Sequence, residues 1–350
     1  MKKLKNNVRD NILKLQPYKV TRDSFLNLSG FIFLDNCENN WGSPLGKGLE
    51  RYPSSSQSEL KKEIASLHQL NDTQITLGNG SDELIDLLMK VTCVPGKSNV
   101  IVNEPTFGMY KIFAQINQVA VNSIKLSSKD FNYDADKILN AVNKNTRLIF
   151  ICSPNNPTGN SISVEALIQL LKNFSGWVVV DEAYIDFSEQ PSHLCLLSRY
   201  ENLIVLQTFS KAWGLAGLRV GAAFSHPYIA AMLNKIRPPF NLSSFSQKTL
   251  SKAIRSKDKL KKLISRIKTE KQRVINLFSR YSFIEKIYPS DGNFLLLKVK
   301  DSRRLCLFLQ ERRILISDRS KQLNCKNHIR ISIGTKQEMN KLYSALKKYE

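Results

Sequence analysis

Residues 147–159 read RLIFIC and then SPNNPTG. The first part is a short β-branched apolar run and the second a dense turn signal, so a strand ends here. Ser163 then caps a helix with Glu165 in its first turn and Val164, Leu167, Ile168 and Leu171 on one face. A fully apolar strand from Trp177 to Val180 stops at Asp181-Glu182-Ala183-Tyr184. Another, Leu203 to Gln207, stops at Thr208-Phe209-Ser210-Lys211. Helices alternating with wholly apolar strands imply an α/β fold whose mainly parallel sheet is buried on both faces.

The rest of the chain fits that reading. Its 350 residues carry 52 Lys and Arg against 30 Asp and Glu, a net charge of +22, and 42% are apolar. Those proportions match soluble globular domains and exclude disordered and fibrous classes. At this length one large domain plus a smaller one is expected. No apolar run approaches the roughly 20 residues that span a bilayer. The N-terminus, MKKLKNNVRDNILKL, has charge but no apolar core, so no secretory signal and a cytoplasmic location are expected. Cys37, Cys93, Cys152, Cys195, Cys306 and Cys325 lie far apart with no CxxC, which favours reduced thiols over a disulfide framework or a metal site. Between Lys252 and Arg273, ten basic residues accompany apolar positions at helical spacing. This predicts one long amphipathic helix with a basic, solvated face. No nucleic-acid signature accompanies it, so a nucleic-acid partner is not expected despite the charge.

The polar residues decide the function. Asn156, Asp181 and Lys211 each fall at or just past the C-terminal end of a different strand, where open α/β sheets form their ligand crevice. Gln74 to Leu77 reads as a strand, Gly78-Asn79-Gly80 as a tight turn, and Ser81-Asp82-Glu83-Leu84 opens a helix running to about Val91. A glycine turn before a helix N-terminus offers backbone N–H groups to a phosphate. Asp82 and Glu83 would oppose that unless their side chains turn away. An amine at Lys211 can form a Schiff base with an aldehyde cofactor. A buried Asp181 facing a pyridine nitrogen keeps the ring an electron sink. Asn156 and Tyr184 can bond the ring's phenolic oxygen, and Thr208, Ser210 and Arg219 a phosphate ester. Singly, these are a surface lysine, a helix cap and a turn. Together, in this order, they match pyridoxal 5'-phosphate.

SPNNPTG, DEAY and TFSKAWGLAGLRVG resemble the three signature blocks of fold-type I, pyridoxal-phosphate-dependent aminotransferases. LQPYKVTR, RYP, GNGSDELIDLL, CVPGK, EPTFGMY and HIRISIGT extend the resemblance over nearly the whole chain, to the histidinol-phosphate aminotransferase family. The resemblance implies Lys211 as the Schiff-base lysine and proton shuttle, Asp181 as the pyridinium partner, and Asn156 and Tyr184 at the phenolic oxygen. It implies a phosphate site of Gly80, Ser81, Asp82 through its backbone, Thr208, Ser210 and Arg219. Phe107 matches the aromatic that stacks on the cofactor, and Tyr52 a tyrosine that reaches the cofactor phosphate of the neighbouring subunit of a homodimer. Arg330 matches the arginine for the anionic end of the substrate, and Tyr18 a tyrosine near the substrate phosphate. The implied domains are a large one over residues 44–243 and a small α/β one from residues 1–43 and 244–350. The implied reaction converts histidinol phosphate and 2-oxoglutarate to imidazole acetol phosphate and glutamate, a step of histidine biosynthesis.

One departure stands out. Where the family has an arginine before an aspartate, this chain has Ser317 before Asp318. A lost charge-assisted contact to phosphate typically costs about 1.5–3 kcal/mol, and Arg319, two residues on, is the candidate to replace it. The segment LDNCENNWG also departs from the usual Asn-Glu-Asn-Pro. Two alternatives stay open on the same cofactor grip: an aminotransferase for another aromatic or phosphorylated amino acid, and a decarboxylase of the threonine-phosphate type.

Overall fold

The computed structural model describes residues 2–18, 20, 22 and 31–349; Lys19 and Thr21 of the LQPYKVTR motif lie outside them. Two sheets organise the chain. The larger has seven strands, β1 (Ile75–Asn79), β2 (Asn99–Glu104), β3 (Ala120–Lys125), β4 (Thr146–Cys152), β5 (Trp177–Asp181), β6 (Leu203–Thr208) and β7 (Val220–Ser225), in the order β1-β7-β6-β5-β4-β2-β3. Strands β6, β5, β4, β2 and β3 run parallel, while β7 is antiparallel to both of its neighbours.

Alternation along these strands builds two cores. Val178, Val180, Ile149, Ile151, Leu203 and Val205 face one side; Trp177, Val179, Leu148, Phe150, Ile204 and Leu206 face the other. Both sides are covered, so no polar residue is needed until the strands end. The same parity puts Cys152, Asp181 and Thr208, the last residues of β4, β5 and β6, on the side of Phe150 and Leu206.

Helices α1 (Lys2–Lys5) and α2 (Asp10–Lys14) open the chain. They are followed by α3 (Ser58–His68), α4 (Gly80–Thr92), α5 (Met109–Ile116), α6 (Ala135–Asn140), α7 (Val164–Asn173) and α8 (Pro227–Ile236). The Ser163 hydroxyl accepts from the Ala166 N–H, the cap predicted for α7. The predicted basic helix is two: α9 (Ser244–Ile254) and α10 (Lys257–Phe278). The chain breaks at Arg255-Ser256, where Arg255 ion-pairs with Glu63 on α3 at 2.8 Å and Ser256 leaves helical geometry.

The second sheet, in the order β10-β11-β9-β8, is antiparallel throughout: β8 (Ile284–Ile287), β9 (Phe294–Val299), β10 (Ser317–Asp318) and β11 (His328–Ser332). It has its own core with α10, α11 (Ser302–Glu311) and α12 (Lys336–Lys347). The N-terminus differs from the expected grouping of residues 1–43 with this smaller layer. Leu4, Val8 and Ile12 recur every fourth residue and pack with the α4 and α8 side of the large sheet. The Arg9 N–H donates to the Val91 carbonyl at 2.9 Å.

Candidate active site

A cavity of about 460 Å³ opens at the C-terminal ends of the parallel strands, between the large sheet and the β10–β11 edge of the small one. Asn156, Asp181, Tyr184, Thr208, Ser210 and Lys211 all reach its wall, as do Ser81, Asp82, Phe107, Arg219, Arg319 and Arg330. Three strand ends and one helix start therefore converge, as the polar residues at the strand ends predicted.

The turn after β4 is held from below. Asn155 is wholly buried; its amide donates to the Pro105 carbonyl at 2.8 Å and to the Thr158 hydroxyl at 2.6 Å, and its oxygen accepts from the Thr106 hydroxyl at 2.7 Å. This staples the ends of β2 and β4 together and presents the next residue, Asn156. Asp181 is buried, its Oδ2 accepting from the Tyr110 hydroxyl at 2.7 Å and its Oδ1 from the Ala183 N–H at 3.1 Å. Burial pushes its carboxyl up to about 6, although both hydrogen bonds pull the other way. Burial likewise pushes the Tyr184 phenol up to about 12. Lys211 stands open to the cavity, 5.7 Å from the Tyr184 ring centre. The surrounding protein first, then the charges of Arg330 and Arg219, lower its ammonium below the ordinary value, which favours the free amine.

At the other end lies a phosphate-sized cradle. The Thr208 hydroxyl donates to Ser210 Oγ at 3.0 Å and accepts from the Ser210 N–H at 3.2 Å. The Arg219 guanidinium donates to Ser210 Oγ at 3.5 Å and lies 3.5 Å from Asp82. Arg219 is itself held in the left-handed region, φ +54°, while its carbonyl accepts the Gly80 N–H at 2.9 Å. Gly80 has φ +74°, and a Cβ there would sit 2.5 Å from Arg219 Nη2. The backbone conformation thus favours glycine, and any Cβ would also displace the end of the Arg219 side chain. Glu83 does turn away, accepting from the Asn79 N–H at 2.5 Å and the Asn241 amide at 2.6 Å. Asp82 does not turn away: its carboxylate stays on the cavity wall, 3.5 Å from the Arg219 guanidinium, so the backbone donors at the start of α4 share the cradle with it.

The opposite wall carries two arginines. Arg330 on β11 donates to Asn156 Oδ1 and lies 5.4 Å from the Phe294 ring centre. Arg319 follows β10, with its N–H on the His328 carbonyl at 2.8 Å. The buried Nε of each has no hydrogen-bond partner among the described residues. Burial lowers both guanidinium pKa values, and Arg330 adds to the lowering at Arg319. Two such cations without a carboxylate between them form a socket for an anion. Ser317 pairs with Arg330 across the strands but does not line the cavity.

Tyr52 and Tyr18 stand apart from this cavity. Tyr52 is 53% exposed and stacks on Phe240 with ring centres 4.7 Å apart; Tyr18 is 74% exposed. Sequence reasoning missed Tyr110, Thr106 and Gln322. The first lies in the first turn of α5, where its spacing reads as core and only its contact with Asp181 marks it.

The aminotransferase class I and II family matches residues 39–346. The chain is 43% identical over 345 residues to the histidinol-phosphate aminotransferase of Flavobacterium psychrophilum, covering 98% of each chain. This protein belongs to that aminotransferase family. Its fold is that of the histidinol-phosphate aminotransferase of Clostridium acetobutylicum, with a TM-score of 0.80 at 24% identity over 86% of this chain and 91% of the other. It also matches the Sinorhizobium meliloti histidinol-phosphate aminotransferase solved with pyridoxal 5'-phosphate, with a TM-score of 0.78 at 23% identity, covering 86% and 83%. The chain is a pyridoxal-phosphate-dependent transaminase. Its own residues fit the cofactor: a glycine-walled cradle with Arg219 for the phosphate, a buried carboxylate for a cationic nitrogen, and an amine of lowered pKa between them.

Proposed function

We propose that this aminotransferase converts histidinol phosphate and 2-oxoglutarate to imidazole acetol phosphate and glutamate. The observation that carries the reading is the pair of Arg319 and Arg330, each with a buried Nε left without a hydrogen-bond partner among the described residues, facing Lys211 across one cavity. A donor with an amine at one end and an anion at the other fits between them. Bound there, pyridoxal phosphate supplies an aldehyde carbon and an electron-withdrawing ring.

The chain's residues divide the remaining work. The Lys211 Nζ would hold the cofactor's aldehyde end, and as a free amine it would take the proton from the donor's α-carbon. Asp181 keeps the ring nitrogen protonated, while Asn156 and Tyr184 hold the phenolic oxygen. Phe107 covers one ring face. Gly80, Ser81, Asp82 through its backbone, Thr208, Ser210 and Arg219 hold the ester phosphate. Arg330 and Arg319 take the substrate anion, with Arg319 standing in for the arginine absent at position 317. Tyr18 does not line the cavity.

The working unit is a homodimer in the cytoplasm. Trp41, 95% exposed, Leu45, 85% exposed, and Tyr52, 53% exposed, are large apolar side chains that a second copy would cover, and Tyr52 would reach the cofactor phosphate of that copy. The large domain runs from about residue 44 past the expected boundary at 243 to include α9, whose Leu250 and Ile254 join the large-sheet core and whose Ser251 bonds Glu63 on α3; the small domain begins with α10.

Incubation of the purified protein with cofactor, histidinol phosphate and 2-oxoglutarate tests the reading. Glutamate is expected to form in equal amount to imidazole acetol phosphate, and none with Lys211→Ala. Carbon dioxide release without 2-oxoglutarate would assign a decarboxylase instead.

A further inference from the structure

Tyr110 is a wholly buried phenol that no role above uses. Its ring stacks on Phe150 with centres 4.9 Å apart at 15°, which fixes it against the large sheet. Its edge-to-face contact with Phe107 has centres 5.6 Å apart at 85°. Its hydroxyl is the one side-chain donor to Asp181 among the described residues, 2.7 Å from Oδ2.

We propose that Tyr110 is a positioning residue for the cofactor, bracing Phe107 with its ring and Asp181 with its hydroxyl. One side chain then sets both the group that covers the pyridine face and the group that meets its nitrogen. The proposal rests on those two roles of Phe107 and Asp181. A buried carboxylate with a free oxygen is costly, so the phenol, which satisfies Oδ2, favours the charged form of Asp181 in a dry site. The Ala183 N–H serves the other oxygen, Oδ1, and the Lys211 charge also favours the carboxylate, but no other side chain donates to Asp181 among the described residues. Asp82 and Glu182 oppose the charge, and Tyr133 spends its hydroxyl on the Cys152 carbonyl. Cys152 is held as a neutral thiol, pushed up to about 12 by burial.

Tyr110→Phe keeps the ring contacts and deletes the donor. The readout is binding of pyridoxal phosphate to cofactor-free protein by fluorescence titration across pH, beside Asp181→Asn and wild type, with a thermal melt of each. The Phe variant is expected to melt cooperatively and bind the cofactor about 10- to 150-fold more weakly at neutral pH, the usual effect of a hydrogen bond to a charged group. Part of the loss should return toward about pH 9, because the Asp181 ionisation has moved up. Unchanged affinity in Tyr110→Phe beside a weakened Asp181→Asn overturns the inference alone. Unchanged affinity in Asp181→Asn overturns the role of Asp181 and the inference with it. Should the Phe variant not fold, 3,5-difluorotyrosine at position 110 keeps the shape and strengthens the donor. It is expected to move the acid limb of binding to lower pH, and an unmoved limb overturns the proposal.

Discussion

The guanidinium of Arg330, on the small sheet, donates to the side-chain oxygen of Asn156, at the end of a strand of the large one. This bond crosses the cavity mouth and ties the substrate side to the cofactor side. Arg330→Lys keeps a charge but loses the fork that reaches Asn156 and an anion together. It is expected to lower kcat/KM for histidinol phosphate by about 1.5–3 kcal/mol, or roughly 10- to 150-fold. Steady-state kinetics with varied donor, at saturating cofactor, measures it.

Arg319→Gln should cost a similar factor, about 10- to 150-fold, and only for donors that carry the anion. Pyridoxal phosphate affinity should not change, since Arg319 is remote from the Gly80–Arg219 cradle in the chain's hydrogen bonding. In the double variant Ser317→Arg/Arg319→Gln, activity should return in part if position 317 can serve the same anion. The comparison is kcat/KM for histidinol phosphate against its dephosphorylated form.

The Asp181 carboxyl couples cofactor binding to stability. Its pKa is raised from 3.8 to about 6 in the folded protein, so the native state binds the extra proton between those values. Stability of the cofactor-free protein is therefore full below 3.8 and falls as pH rises through about 6. About two units correspond to about 3 kcal/mol at most. Asp181→Asn should remove this dependence, leaving the cofactor-free variant more stable than wild type above pH 6 while it binds cofactor poorly. Urea unfolding of both proteins at pH 4 and pH 8 checks the sign.

Much of this was legible because it depends on strand ends. The apolar runs before Asn156, Asp181 and Lys211 read as buried strands, and the position of these residues at or past the strand ends placed them at the crevice. What was not legible depends on contacts between distant elements. Tyr110 sits in an amphipathic helix where a phenol reads as core, and only its approach to Asp181 gives it meaning. The direction of Arg319 could not be read because β10 ends after two residues, and the following turn, with the Ser320 N–H on Asp318 at 2.8 Å, sets it. The break at Ser256 has no glycine or proline to announce it.

Gly80→Ala forces a Cβ into Arg219 and a side chain into the left-handed region. The backbone alone costs about 1–2 kcal/mol. The variant should melt earlier and lose cofactor affinity at least about tenfold, since Arg219 must move. A melt and a cofactor titration separate the two effects.

Glu38 is the buried centre of a clamp that takes Arg22, Arg51 at 2.7 Å and the Tyr52 N–H at 2.7 Å. Burial opposes its charge, yet those hydrogen bonds hold the carboxyl down to about 2. Glu38→Ala leaves Arg22 with Asp35 alone and removes the acceptor of the Arg51 guanidinium and the Tyr52 N–H, and should cost about 1–3 kcal/mol. It should also expose the chain near Tyr52 to limited proteolysis, while Glu38→Gln has a smaller effect.

The central claim is that Lys211 and the two arginines act on one donor. The most direct measurement is the absorption spectrum of the cofactor-loaded protein before and after histidinol phosphate, with no 2-oxoglutarate present. The account predicts that the visible band gives way to a near-ultraviolet one, that 2-oxoglutarate restores it, and that Lys211→Ala shows neither change. A visible band that stays unmoved by histidinol phosphate would contradict it.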